Sequence, residues 1–389
     1  MLCTAGTVCL TGFAAFPALL PMLRDEWGLR NAEAGLISAM FFGGYVLAVP
    51  VLTSLTDRVD ARRIYIAGSF VAAMGALGFG LWAHGLYSAV LMQALLGVGT
   101  AGTFMPGLKL LSDRVNHPKQ SRWVAFYTSS MTIGTTLSLL LVSRITAVAG
   151  WRRAFMAAAI GPALAGLLVA VGIPAKRPEP LRDDAPHWLD FRPVFRNPKV
   201  VGYIFSYSAH CWELFGMRAW FVAFLVFSAH LQPANHPLPW APATVVAAIN
   251  LLGPAASILG NEAAVRWGRR STILGIMTGS AVVASLAGFT AGLPWAVVLA
   301  VMLVYFLMIL GDSAALHAGL VAAADPAQRG AALAMHSLFG FGAGAISPLV
   351  FGVVLDVAGG NGQVMAWGLA FASFAVVSVL GSLVARAKI

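Results

Sequence analysis

Residues 52–63 read LTSLTDRVDARR, at the junction between an apolar segment, residues 33–55, and a second one, residues 64–83. A helix needs about 20 consecutive, mostly apolar residues to cross the hydrocarbon core of a bilayer. Both flanking segments have that length, and the charged residues between them belong in water. The stretch therefore predicts a turn between two membrane-spanning helices.

The composition of the whole chain extends this prediction. Of the 389 residues, 59% are hydrophobic and 10% are charged, whereas about 25% of the residues of a soluble domain are charged. We therefore expect an all-α membrane protein with twelve transmembrane helices. The predicted segments are 2–23, 33–55, 64–83, 87–111, 123–148, 152–173, 200–229, 243–264, 271–292, 294–317, 331–356 and 364–385.

Lysine and arginine concentrate in every second linker. The linkers after the second, fourth, sixth and eighth segments are basic, whereas the opposite linkers hold only Arg24, Arg30, Arg152 and Arg153. Because basic loops stay in the cytoplasm, this pattern predicts a multi-pass protein of the cell inner (plasma) membrane with both termini cytoplasmic. It also accounts for the net charge of +10 without nucleic acid as a partner.

The sequence divides near its midpoint. The interval 174–199 is rich in proline and charge and separates six apolar segments from six others. RVDARR (58–63) follows the second segment, and RWGRR (266–270) follows the eighth, so the two halves look related. We predict two pseudo-symmetric six-helix bundles, residues 1–173 and 200–389, joined by a cytoplasmic central loop, 174–199. Such internal repeats are typical of secondary transporters.

The opening stretch resembles the signature that the major facilitator superfamily carries between helices 2 and 3. Asp57 and Arg58 match its central acid–base pair, and Arg62 and Arg63 match its basic end. The resemblance implies the twelve-helix, two-bundle fold and alternating access. It also implies a cytoplasmic gate, for which the candidates are Asp57, Arg58, Arg62, Arg63, Asp113, Arg114, Arg266, Arg269 and Arg270.

Three further stretches resemble the cyanate-permease-like branch of that superfamily. They are AGTFMPGLKLLSDR (101–114), AHCWELFGMRAW (209–220) and FGAGAISPLVFGVVLDVAGG (341–360).

The second of these stretches places ionisable residues inside an apolar segment. A charged side chain at the centre of a membrane helix costs about 2.5–3.5 kcal/mol on insertion scales, so Glu213 and Arg218 need partners or a wet cavity. We interpret Glu213 as the carrier of a coupling proton, together with His210 and with Asp312 in the tenth segment. Arg218 is the candidate that attracts an anionic substrate. The alternative is that these residues pair with neighbouring helices and hold the fold.

Five more residues are candidate substrate contacts. Lys109 suits an anion, although snorkelling or a pair with Asp113 also explains it. Asn250 and Gln93 suit hydrogen bonds to a substrate or between helices. Arg144 and Trp212 are candidates for the wall of the cavity.

The leading hypothesis is a secondary active transporter for proton-coupled uptake of a small organic anion. The alternative is an exporter or uncoupled facilitator of a small neutral or amphipathic solute. The three cysteines and eight histidines have no metal-ligand spacing, and no nucleophile motif appears. We therefore expect no enzyme, metal or cofactor. The expected partners of this monomer are a small-molecule substrate, protons and the lipid bilayer.

Overall fold

The computed structural model describes residues 1–56, 58–114, 120–176, 191–233, 235–238, 240–325 and 328–389, and the regular structure in these ranges is entirely helical. Twelve helices are long and apolar enough to cross a membrane, which confirms the predicted all-α membrane fold. They are α1 Leu2–Glu26, α2 Asn31–Leu55, α3 Ala61–Trp82, α4 Leu86–Ser112, α5 Gln120–Ala149, α6 Trp151–Gly172, α7 Pro198–Leu231, α8 Pro242–Trp267, α9 Arg269–Thr290, α10 Trp295–Ala323, α11 Arg329–Val357 and α12 Val364–Lys388. A short helix, Arg192–Arg196, precedes α7.

Four of the spanning helices are interrupted or end in a 3₁₀ turn. A 3₁₀ turn, Leu10–Gly12, interrupts α1, and another, Gly288–Thr290, ends α9. In α8 the first helical segment ends at Asn250 and the second begins at Gly253. In α10 the break falls on Asp312, between Trp295–Gly311 and Ser313–Ala323. Two of the predicted polar residues thus sit where the regular backbone is interrupted.

The chain forms two compact units. The first comprises Met1–Leu23 and Met40–Pro186, and the second comprises Arg24–Ala39 and His187–Ile389. Helix α2 therefore begins in the second unit and ends in the first. The division into two pseudo-symmetric bundles, residues 1–173 and 200–389, stays a prediction.

Small residues let helices of the first unit approach closely. A Cβ atom added at Gly99 of α4 would overlap the backbone of Ala72 on α3, and one added at Gly102 would reach the Cα of Gly68. Lipid tails are as apolar as the helix surfaces, so the hydrophobic effect does not favour association of membrane helices. Tight packing of this kind holds them together instead. Gly99 and Gly102 therefore allow α4 to pack closely against α3.

Aromatic side chains fill the interior of the second unit. Trp220 of α7 stacks on Phe351 of α11 with ring centroids 5.2 Å apart, and its Nε1–H donates to the carbonyl of Pro348 at 3.0 Å. Gly340 and Gly344 of α11 face Tyr207 and Phe215 of α7. These contacts fix α7, which carries four of the candidate site residues, against α11.

Candidate functional site

Helix α7 supplies the centre of the candidate site. It begins at Pro198 after Asn197, whose side chain accepts hydrogen bonds from the backbone N–H groups of Lys199 and Val200. Successive residues of a helix point about 100° apart, so His210, Glu213 and Arg218 face different neighbours.

Glu213 is 3% exposed and is held by hydroxyl groups of two other helices. Ser280 Oγ of α9 lies 2.9 Å from Oε1 and 3.0 Å from Oε2, and the Tyr305 hydroxyl of α10 donates to Oε1 at 3.0 Å. The predicted association of Glu213 with His210 is not seen as a hydrogen bond. A carboxyl group in this setting has hydroxyl donors whether or not it carries a proton.

His210 instead pairs with Asp312, at the break of α10. His210 Nδ1 lies 2.7 Å from Asp312 Oδ1, and the two residues are 2% and 3% exposed. Two of the three residues predicted to carry protons are therefore in direct contact. The pair thus joins α7 to the break of α10 through a buried hydrogen bond.

Three further rings surround this pair. Tyr207 stacks on His336 of α11 with centroids 3.7 Å apart and on His210 at 5.4 Å, and His317 of α10 lies edge-on to both Tyr207 and His336 at 4.7 Å. We call Tyr207, His210, Asp312, His317 and His336 the histidine cluster. The sequence did not indicate it, because the histidines come from three separate segments and a neutral imidazole barely interrupts an apolar run.

Arg218 faces α8. One guanidinium nitrogen donates to Asn250 Oδ1 at 3.2 Å, and the buried Nε has no hydrogen-bond partner. In the described part of the chain, no carboxylate pairs with Arg218. The structure thus brings two predicted substrate contacts, Arg218 and Asn250, together. Trp212 lies six residues before Arg218, about 9 Å along the axis of α7. Its carbonyl accepts from the Ser347 hydroxyl at 2.6 Å, and its buried Nε1 has no hydrogen-bond partner among the described residues.

The other predicted substrate contacts lie in the first unit and are not brought together. Gln93 of α4 is 2% exposed and its buried Oε1 has no hydrogen-bond partner, Lys109 is half-buried near the other end of α4, and Arg144 of α5 is exposed. Gln93 and Lys109 are 16 residues apart, or about 24 Å along the helix axis. They cannot contact the same small molecule at one time.

Two predicted gate residues of the first unit, Arg62 and Arg114, contact Asp60, which was not among the predicted ones. Asp60 caps α3 by accepting from the Arg62 backbone N–H at 3.0 Å, accepts from the Lys176 backbone N–H at 2.9 Å, and lies 3.9 Å from Arg114. Arg114 also donates to the carbonyl of Pro174 at 2.9 Å. Asp60 therefore joins the start of α3 to the end of α4 and to the segment after α6.

The remaining gate candidates have varied positions. Asp57 lies outside the described residues. Arg62 donates to the carbonyl of Ala170, Asp113 accepts through its backbone carbonyl from Lys176 Nζ at 3.1 Å, and Arg270 donates to the carbonyl of Arg386 at 2.6 Å. Arg269 lies beside the Tyr203 hydroxyl. Arg58, Arg63 and Arg266 are exposed.

The described residues contain no group of three histidine, cysteine, aspartate or glutamate side chains arranged to hold a metal ion.

The comparison with solved structures identifies the fold. The bacterial homolog of the human lysosomal transporter spinster, in its inward-facing and unoccupied conformation, superposes with a TM-score of 0.79 over 100% of this chain and 96% of that one. The two sequences are 13% identical. The fold of the chain is therefore that of a known transporter.

Two curated relatives are also transporters. The chain is 24% identical over 264 residues to the "Probable L-galactonate transporter" of Escherichia coli (strain K12), with 63% of this chain and 56% of the relative covered. It is 25% identical over 158 residues to the "Probable sphingolipid transporter spinster homolog 2" of Arabidopsis thaliana, with 41% of this chain and 31% of the relative covered. The chain thus matches only about a third to just over half of each relative's length.

The family model for the Major Facilitator Superfamily matches residues 1–260, which is most of the chain. The expectation that the chain is not an enzyme is confirmed, since its relatives transport small molecules. None of these matches singles out the cyanate-permease-like branch, which stays a prediction. The match to the family model, the twelve spanning helices and the shared fold together show that this protein belongs to the major facilitator superfamily of membrane transporters.

Proposed function

We propose that this protein is a secondary active transporter that works by alternating access and takes up a small organic anion together with protons. The observation that carries the proposal is Arg218, a membrane-embedded guanidinium that, among the residues the structure describes, donates to the neutral amide of Asn250 and pairs with no carboxylate. A charge in a membrane helix is stable only when it is paired or reaches water. An anionic substrate supplies the missing partner.

The choice of an anion has support from one relative. L-galactonate, which the Escherichia coli relative is named for, is a sugar acid and carries a carboxylate. A guanidinium binds a carboxylate with two parallel hydrogen bonds, and the unpartnered Arg218 Nε is one of the nitrogens that form such a pair. Asn250 then orients Arg218, and Trp212, Lys109, Arg144 and Gln93 stay candidate contacts in this proposal.

Proton coupling has separate support in the second unit. The His210–Asp312 pair is buried at a break in a membrane helix. Glu213 lies on the same helix as His210, and its carboxyl group accepts three hydrogen bonds from the hydroxyl groups of Ser280 and Tyr305. Residues of this kind inside membrane segments mark proton pathways in pumps and transporters. In our proposal the pair and Glu213 take up a proton while Arg218 holds the anion.

The second candidate function is transport of an amphipathic solute. The spinster homolog from Arabidopsis thaliana is named for sphingolipid transport, and the solved structure with the same fold is also a spinster homolog. In an exporter or uncoupled facilitator of an amphipathic or neutral molecule, the sole role of Arg218 would be to bind a polar headgroup of that molecule. Such a transporter would not need the His210–Asp312 pair to change its protonation.

The location follows from the charge pattern. We propose a monomer in the cell inner (plasma) membrane, with both termini in the cytoplasm. The basic residues assigned to the gate then face the cytoplasm, where Asp60 and Arg114 hold helices of the first unit together.

Uptake into proteoliposomes tests the proposal. Purified protein is reconstituted in vesicles with an alkaline interior, and accumulation of labelled L-galactonate and of sphingosine-1-phosphate is compared. We expect galactonate to accumulate, accumulation to stop when a protonophore removes the gradient, and Arg218→Gln to abolish binding. The control is Arg153→Gln, which removes an exposed arginine from α6. Transport of the lipid alone, with no response to the gradient, would favour the second candidate.

A further inference from the structure

The three imidazoles of the histidine cluster differ in how their nitrogens are used. His210 uses Nδ1 for Asp312, and His317 uses Nδ1 for the carbonyl of Ser313, at 2.9 Å. Since a carbonyl only accepts, His317 Nδ1 carries the proton and its Nε2 is the nitrogen that can take up another. His336 is 0% exposed, and in the described part of the chain neither of its nitrogens has a hydrogen-bond partner.

A fully buried histidine whose nitrogens make no hydrogen bond is unusual. Leaving a buried donor or acceptor unsatisfied destabilises a protein, and such a group in a native protein calls for an explanation. Packing alone does not provide one, because a phenylalanine would stack on Tyr207 equally well and without that cost.

We propose that His336 is the intermediate carrier of a proton relay that connects the accessible His317 with the buried His210–Asp312 pair. The relay deepens the proposed proton coupling and rests on it. An intermediate carrier must accept a proton on one nitrogen and release one from the other. Only His336, among the three imidazoles, has both nitrogens available.

The positions of the rings suit this order. His317 is half-buried and is the most accessible imidazole of the cluster, and its ring lies 4.7 Å from that of His336. The ring of Tyr207 stacks on that of His336, at 3.7 Å between centroids, and on that of His210, at 5.4 Å, so Tyr207 links the two imidazoles. A cation near an aromatic face is stabilised by the quadrupole of the ring, so Tyr207 offsets part of the cost of a charged imidazole beside it.

The transfer conserves protons and charge. His317 takes a proton from water on Nε2 and becomes an imidazolium. It passes that proton to one nitrogen of His336 and returns to the neutral form. His336 releases the proton on its other nitrogen toward Nε2 of His210, and the carboxylate of Asp312 stabilises the imidazolium that results. The titratable groups around His336 are Tyr207 and His210 from α7 and His317 from α10, and Cys211 of α7 lies beside Gly340, about one turn further along α11.

The first experiment replaces His336 with phenylalanine, which keeps the stacked ring and removes both nitrogens. Proteoliposomes that contain a pH-sensitive dye report proton entry when L-galactonate is added. We expect proton entry in H336F to slow by at least about a hundredfold, the low end of what a positioned acid–base group contributes, while galactonate exchange at equal pH stays unchanged. The control is H230F, at the exposed end of the same helix as His210. Unchanged proton entry in H336F would overturn the relay.

The second experiment needs neither a substrate nor transport. Nuclear magnetic resonance of protein with ¹⁵N-labelled histidine, in lipid nanodiscs, follows His336 between about pH 5 and 8, where imidazoles titrate. We expect proton exchange between its two nitrogens, and we expect H317F to slow it. If galactonate fails to accumulate but this exchange is seen, the proposed substrate is wrong and the relay stands. A single His336 tautomer that is insensitive to H317F would overturn the relay whatever the transport result.

Discussion

Glu213 is an acidic residue whose carboxyl group accepts hydrogen bonds from the hydroxyl groups of Ser280 and Tyr305. The change Glu213→Gln keeps the size of the side chain and an oxygen that accepts these hydrogen bonds, but an amide cannot carry a proton. We expect the variant to lose accumulation driven by a pH gradient and to keep exchange of substrate across the membrane. Parallel measurements of accumulation and exchange in proteoliposomes check this prediction.

The control for this change is Glu262→Gln, which alters an exposed carboxyl group on α8. If Glu213→Gln still accumulates substrate, the carboxyl group serves the fold alone. In that case Glu213→Ala should still destabilise the protein, by about 1–3 kcal/mol, because it leaves two buried hydroxyl groups without their acceptor.

The sequence identified Glu213, Arg218 and Asp312 because an ionisable side chain in an apolar segment is conspicuous. It did not identify their partners. Ser280 and Tyr305 are ordinary residues of membrane helices, and only the packing of α7 against α9 and α10 gives them a role. His336 and Tyr207 escaped notice for the same reason, since neither residue carries a charge that would mark it.

At the scale of the helices, the sequence predicted most of what the structure contains. All twelve segments are found, and most ends agree within a few residues, because the thickness of the bilayer sets the length of each helix. The breaks at Asn250 and Asp312 were not predicted. Whether a helix bends depends on which neighbours satisfy its freed backbone groups, and the sequence of one segment does not contain that information.

The contact between α3 and α4 gives a second prediction. Gly99 leaves no space for a side chain against the backbone of Ala72, so Gly99→Val must push the two helices apart. Overpacking of this kind typically costs about 1–3 kcal/mol, and we expect a lower unfolding temperature in detergent. Gly342→Val on α11 is the matched control, since a Cβ atom there meets no other atom within 4 Å. Equal effects of the two changes would show that close approach at Gly99 is not what stabilises this pair.

The start of α2 gives a third prediction. The carboxylate of Asp356, at the end of α11, accepts from the backbone N–H groups of Asn31 and Ala32 at 3.1 Å and 2.8 Å, and from Asn31 Nδ2 at 2.8 Å. An acidic cap satisfies the free donors of a helix start and complements its dipole. Asp356→Ala should therefore destabilise the protein by about 0.5–2 kcal/mol, whereas Asp356→Asn, which keeps one acceptor oxygen, should cost less.

Thermal unfolding of the purified variants measures this effect. Asp25→Ala is the control, because Asp25 is also acidic and near the start of α2 but its side chain is 70% exposed. An unfolding temperature for Asp356→Ala equal to that of the wild type would mean that water replaces the cap at no cost.

At the scale of the whole molecule, the sequence predicts less. The family and the number of helices follow from apolar segments and basic linkers that recur along the chain. Each of these features depends only on the composition of a short stretch of sequence. The assignment of Arg24–Ala39 to the second unit depends instead on contacts with residues more than 300 positions away, such as that between Asn31 and Asp356. Contacts at that separation leave no local pattern in a single sequence.

The orientation in the membrane is the last prediction, and it follows from the charge asymmetry of the linkers. Single cysteines are introduced at His84, in the linker between α3 and α4, and at Arg386, near the end of α12, after Cys3, Cys9 and Cys211 are replaced by alanine. Both positions are exposed. A membrane-impermeant maleimide added to intact cells should label H84C at once and R386C only after the cells are permeabilised, because His84 would lie outside and Arg386 in the cytoplasm. The reverse pattern would place the basic linkers outside, and Arg62 and Arg114 could not then form a cytoplasmic gate.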